Sequence, residues 1–235
     1  MQDIRPVTVQ RNFTNKTAGS VLYQCGDTVV LCTASLEDRV PEWMAGRGKG
    51  WITAEYNMLP GSTSPRKSRE RAGKVDGRTT EIQRLIGRSF RAVADLNKLG
   101  ERSLTIDCDV LQADGGTRTA AITGGFIALV DAVNSAFANC PIEEYPLTSS
   151  LAAISVGIVE GSASLDLDYV RDVKADVDMN VVMTGKGRFI EIQGTGEEAT
   201  FDDQELATLL SLAKLGIKKL TEVQKNTLGA SWRFS

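Results

Sequence analysis

Two arginines, a glycine turn and a cluster of aspartates are the parts of this sequence that could do chemistry. Gln112-Ala113-Asp114-Gly115-Gly116-Thr117-Arg118-Thr119 follows an alternating run in which Leu104, Ile106, Cys108 and Val110 point one way. A helical pattern comes next, with Phe126, Val130, Val133 and Phe137 on one face. The spacing predicts strand, turn and amphipathic helix in that order. Paired glycines allow a tight turn and let a ligand approach the main chain. The free N–H groups of a helix start favour an anion. Thr117 adds a hydroxyl and Arg118 a planar fork that matches phosphate oxygens. By residue type alone, the segment is either a phosphate-sized anion site or an ordinary turn with a solvated arginine. Arg78 poses the same choice. It follows Asp76-Gly77 and opens a second predicted helix, where a cation opposes the macrodipole unless a ligand needs it.

The acidic segment is Tyr169-Val170-Arg171-Asp172-Val173-Lys174-Ala175-Asp176-Val177-Asp178-Met179-Asn180. In an extended chain Asp176, Asp178 and Asn180 share a face, and Asp172 joins them if residues 172–175 bend. Carboxylate oxygens in this number suit Mg²⁺ or Mn²⁺; the alternative is a solvated acidic turn. A basic stretch, Arg66, Lys67, Arg69, Arg71 and Lys74, lies on a Ser/Gly/Pro-rich segment. It could follow an RNA backbone or be a solvated run of charge.

Composition removes several chemistries. The 235 residues include no histidine, so a His general base, a Ser-His-Asp triad and a His-ligated zinc site are excluded. Four cysteines without C-x-x-C spacing suggest a reducing compartment, and a cytoplasmic location is expected. No uninterrupted apolar run approaches the ~18 residues of a bilayer span, so no membrane partner is expected. A net charge of −3 does not suggest a nucleic-acid binder, although a local basic strip can still bind a phosphate backbone.

Strands are predicted over residues 7–13, 20–24, 28–34, 51–58, 152–159, 164–169, 177–184 and 188–193, besides the run before the glycine turn. Helices are predicted over residues 79–97, after the glycine turn, and from near Asp202, where Asp202 and Glu205 have capping-box spacing. Residues 60–78 read as a long exposed loop and 140–150 as a connector. The result is an α+β layout of sheets backed by helices. It reads as a single domain over 1–235, with halves at about 1–140 and 150–235.

The order of residues also resembles a family. Gln112 to Thr119 looks like the phosphate-binding signature of the ribonuclease PH family of phosphorolytic 3′→5′ exoribonucleases. Gly50-Trp51-Ile52-Thr53-Ala54-Glu55-Tyr56, Met58-Leu59-Pro60, Gly77-Arg78-Thr79, Glu81-Ile82-Gln83-Arg84-Leu85-Ile86, Asp178-Met179-Asn180-Val181-Val182-Met183-Thr184 and Gln193-Gly194-Thr195 match it in order. The resemblance implies the ribonuclease PH fold, with two related ββαβα-like halves akin to domain 2 of ribosomal protein S5. It implies removal of 3′-terminal nucleotides from tRNA precursors and other RNA as nucleoside diphosphates, with inorganic phosphate as co-substrate. Phosphate is then expected at Arg78, Gly116, Thr117 and Arg118. A Mg²⁺ or Mn²⁺ ion is expected at Asp172 and Asp178, with Asp178 also open to a general-acid role. RNA contacts are expected at Arg66, Arg69 and Arg71. A homohexamer, a trimer of dimers, is implied as well. Relatives usually carry a short Asp-Gly-Arg lead before the Arg-Pro seen here at Arg5-Pro6, and its absence is expected to weaken the first strand or a subunit contact. Two other readings rank below this one. A non-catalytic RNA-binding ring subunit usually loses the arginines or aspartates retained here. A nucleotide kinase requires a Gly-Lys-Ser/Thr ending that the turn lacks.

Overall fold

The computed structural model describes residues 3–69 and 76–234. Two sheets carry the architecture. The first contains β1 (Val7–Arg11), β2 (Gly19–Cys25), β3 (Thr28–Glu37), β4 (Trp51–Met58) and β5 (Ser103–Gln112), in the order β1-β2-β3-β5-β4. Its neighbours are antiparallel except β4 and β5, which run parallel. A parallel pair needs a long crossover, and α1 (Gly77–Arg91) and α2 (Leu96–Leu99) lie within it. After α3 (Thr117–Phe137), the second sheet is built from β6 (Leu151–Val159), β7 (Ser162–Leu165), β8 (Ala175–Thr184) and β9 (Phe189–Gly196). Its order is β7-β6-β8-β9, antiparallel throughout. The one-turn helix α4 (Tyr169–Val173) joins β7 to β8, and α5 (Asp203–Leu228) closes the chain's regular structure.

The layers explain the burial. Leu104, Ile106, Cys108 and Val110 of β5 are buried under α3, and the alternate residues Thr105, Asp107 and Asp109 are only half-buried. β6 has no such alternation: Leu151 to Ile158 are all buried, because α3 covers one face and α5 the other. The predicted amphipathic face of α3 is therefore only part of its burial. Ala120 to Val130 are buried on every side, as a helix between two sheets must be. Gly124 allows this close packing, since a Cβ there would fall 2.6 Å from the Tyr23 Cβ. By length and composition α3 is also apolar enough to cross a membrane, which a search for uninterrupted apolar runs missed; 72% of that stretch is buried within the protein.

Two predicted elements differ most. The helix expected over residues 79–97 stops at Arg91. Asp95 accepts bonds from the main-chain N–H groups of Asn97 and Lys98, starting α2 afresh, while Ala94 bridges to Leu147. The strand expected over 164–169 ends at Leu165, and Tyr169 belongs to α4, whose start is capped by Asp168 accepting from the Arg171 N–H. The capping box of α5 is present at Asp202 and Glu205.

Candidate active site

The site is built around the glycine turn at the end of β5. Gly115 and Gly116 have φ of 70° and 63°, the left-handed region where side chains are strained. A Cβ on Gly115 would also fall 2.5 Å from the Leu167 carbonyl oxygen. No side chain caps the start of α3, so its first N–H groups have no capping partner and favour an anion. The turn is clamped from several sides. Thr28 Oγ1 donates to the Gly115 oxygen at 2.7 Å and accepts from the Asp114 N–H at 3.0 Å. Asp114 Oδ1 accepts from the Tyr169 N–H at 3.2 Å. The Tyr56 hydroxyl lies 2.8 Å from Thr117 Oγ1.

Arg5 completes the clamp from beneath. It is 9% exposed. Its Nε and Nη2 donate to the two carboxylate oxygens of Asp166 at 3.1 and 2.8 Å, and its Nη1 donates to the Asp114 carbonyl at 2.5 Å. Paired hydrogen bonds and the Asp166 charge keep this guanidinium protonated despite burial. Cys25 lies against the same carboxylate at 3.5 Å, and burial pushes its thiol up to about 12.

The expected anion contacts and the expected aspartates line one cavity of about 1050 Å³. Gly116, Thr117 and Arg118 come from the turn and α3; Arg78 comes from the first turn of α1, behind the N-cap Asp76. Asp172 comes from α4, and Asp178 and Asn180 from β8. Arg78 is exposed and makes no hydrogen bond or ion pair among the described residues. The Arg118 side chain is 16% exposed, and its Nη1 donates to Gln193 Oε1 at 2.9 Å and Glu81 Oε2 at 3.4 Å. Burial and the facing Asp178 charge push the Asp172 carboxyl above its ordinary value, while the charges of Arg78, Arg118 and Arg5 pull it down. Two carboxylates and two arginines thus line one cavity, an arrangement suited to anions and a cation together.

The bend foreseen at residues 172–175 is the end of α4, which returns Asp172 to the side of Asp178. Asp176 and Asp178 occupy the less-buried alternate positions of β8, as expected, but Asp176 is exposed and does not line the cavity. In the basic stretch, Lys67 lines the cavity and donates to Asp76 at 3.0 Å. Arg66 and Arg69 are exposed and do not line the cavity, and Arg71 and Lys74 lie outside the described residues.

Residues 3–134 match the 3′ exoribonuclease family, domain 1, and residues 150–216 match domain 2 of the same family. The chain belongs to the 3′ exoribonuclease family. Among members of this family, it is 65% identical to "Ribonuclease PH" of Rhodopirellula baltica, over 96% of this chain and 94% of that one. It is 58% identical to "Ribonuclease PH" of Halalkalibacterium halodurans, over 97% and 90%. The fold matches that of rice (Oryza sativa) Rrp46 with a TM-score of 0.78, at 18% identity over 97% of this chain and 96% of the other. It also matches a chain of the Archaeoglobus fulgidus exosome with RNA bound to the active site. There the TM-score is 0.76, at 20% identity over 94% and 89%.

For this family member, reading by residue type missed the clamp. Arg5, Thr28, Asp114 and Asp166 have no spacing that links them; Arg5 and Asp166 are 161 residues apart. Glu81 and Gln193 stand in motifs that matched the family, but nothing local tied either to Arg118.

Proposed function

We infer that this chain is a phosphate-dependent 3′→5′ exoribonuclease. It removes 3′-terminal nucleotides from tRNA precursors and other RNA as nucleoside diphosphates. The observation that carries the site reading is the convergence of two arginines, a glycine turn and two aspartates on one cavity. Inorganic phosphate binds at the Gly116–Thr117–Arg118 turn, with Arg78 closing over it. The terminal phosphodiester of RNA lies opposite. A phosphate oxygen attacks its phosphorus, the bond to the 3′ oxygen of the preceding nucleotide breaks, and that oxygen takes up a proton.

The electrostatic obstacle is two anions brought together. One pair of like charges 4 Å apart repels by ~4 kcal/mol at an effective dielectric of 20. Arg78 and Arg118 offset this and stabilise the charge spread over the phosphoryl oxygens. No protein nucleophile is needed. Asp178 is placed beside this chemistry, with metal ligation or proton transfer to the leaving oxygen as its role.

Asp172 and Asp178 suit a divalent cation, because both carboxylates line the same cavity. No group of three or more His, Cys, Asp or Glu able to hold a metal occurs among the described residues. That donor set fits Mg²⁺ or Mn²⁺, which keep several waters and bind through one or two carboxylates plus substrate phosphates. When bound, such an ion neutralises phosphate charge. Arg66, Arg69 and Arg71 are assigned to the RNA backbone. The four free thiols fit a reducing cytoplasm. The active assembly is proposed to be a homohexamer, a trimer of dimers.

The deciding assay incubates the protein with Mg²⁺, phosphate and an RNA with an unstructured 3′ tail. Nucleoside diphosphates are expected, and Arg118→Ala is expected to raise the KM for phosphate at least tenfold, the worth of about 1.4 kcal/mol. Monophosphates released without phosphate would instead mark a hydrolase.

A further inference from the structure

Arg118 has one nitrogen occupied and the rest of its guanidinium open. Nη1 donates to Gln193 Oε1 at 2.9 Å and to Glu81 Oε2 at 3.4 Å, while Nε and Nη2 make no hydrogen bond among the described residues. Gln193 Nε2 in turn donates to Glu81 Oε1 at 3.4 Å. Three elements meet in this network: α1 gives Glu81, α3 gives Arg118 and β9 gives Gln193. A second pair joins the same two outer elements, Arg88 of α1 donating through two nitrogens to Glu191 of β9.

The order of donors and acceptors is forced. A carboxylate can only accept, so Glu81 draws the amide nitrogen of Gln193 toward itself. The amide oxygen is thereby turned to Arg118, which can only donate. A planar guanidinium fixed at one nitrogen has its opposite edge fixed as well. Neither Glu81 nor Gln193 lines the cavity. We propose that Gln193, oriented by Glu81, is a positioning residue that aims the free edge of Arg118 at the phosphate. This rests on the reading of Arg118 as a phosphate contact.

The test measures KM for phosphate and for RNA separately in four variants of the full chain. Gln193→Ala is expected to raise the phosphate KM about tenfold, the worth of one charge-assisted hydrogen bond, with the RNA KM unchanged. Gln193→Glu alone sets two carboxylates against each other and is expected to raise it similarly. Combining Glu81→Gln with Gln193→Glu exchanges amide and carboxylate, restores an amide N–H donor between the two side chains, and is expected to bring the phosphate KM back toward wild type. A purely structural role for Gln193 predicts equal losses for both substrates and no rescue, and that result overturns the proposal. If Gln193→Ala does not fold, Gln193→Glu against the exchanged pair makes the same comparison. Arg118→Ala separates the two levels. A raised phosphate KM there with an unchanged one in Gln193→Ala removes only the positioning role. An unchanged phosphate KM in Arg118→Ala removes the site reading and this inference with it.

Discussion

Arg5 gives two nitrogens to Asp166 and its third to the main-chain oxygen of Asp114 at 2.5 Å, so one side chain ties the glycine turn to the end of β7. Asp166 holds a φ of 55°, unusual for a residue with a side chain, and its carboxylate also accepts from the Arg5 main-chain N–H at 2.7 Å. The side chains of this pair are 10% and 6% exposed. The Asp114 carboxylate also lies 3.6 Å from Arg5 Nη1, but removing Asp166 strips a buried guanidinium of its bidentate partner, and breaking such a pair costs about 3–5 kcal/mol. Asp166→Ala is therefore expected to lose that much in urea unfolding. A loss within the ordinary surface range of about 0.5 kcal/mol would mean that Arg5 does not depend on Asp166. None of this was legible locally: the sequence presents Arg5 beside a proline and Asp166 between Leu165 and Leu167, with no periodicity joining them.

Among the strands, β5 was the most legible, because its alternation of apolar and polar residues specifies which face meets a helix. The same alternation sets carboxylates on the other face. Asp107 pairs directly with Glu55 of the parallel neighbour β4, and Asp109 follows two residues on. Burial first, then Glu55 and Asp109, push the Asp107 carboxyl above its ordinary 3.8. A raised value means that the folded state binds this proton more tightly than the unfolded chain does. Ionised Asp107 therefore costs stability above its folded value, and the cost fades as pH falls through that value toward 3.8. Asp107→Asn is expected to raise Tm at neutral pH, with the gain vanishing in acid. A gain of equal size at both ends of a pH series of thermal melts would place its origin outside electrostatics. Helix ends were less legible than strands: the α1 stripe continues past Arg91 through Val93, and only the tertiary bridge from Ala94 to Leu147 and the Asp95 cap end the helix there.

Across the whole molecule, α3 binds the two sheets into one body and delivers Thr117 and Arg118 to the cavity from its first turn. Beside that cavity, α4 exposes Tyr169, Val170 and Val173 at 58, 61 and 67%. Tyr169 and Val173 line that cavity and give its rim an apolar side. Light scattering on the eluting protein is expected to give six times the 25.4 kDa chain mass; a monomer at micromolar concentration would contradict the hexamer. Sequence alone determined the chemistry on offer here. It supplied the glycine turn, the arginines and aspartates and the absence of histidine, because residue type and close spacing are local properties. Only the tertiary structure decided that α3 is buried on every side and that Asp172 and Asp178 line the cavity while Asp176 does not. It also decided that Arg5 and Gln193 stand behind the site. Those outcomes depend on which distant segments pack together, and packing is settled by both sheets closing on one helix.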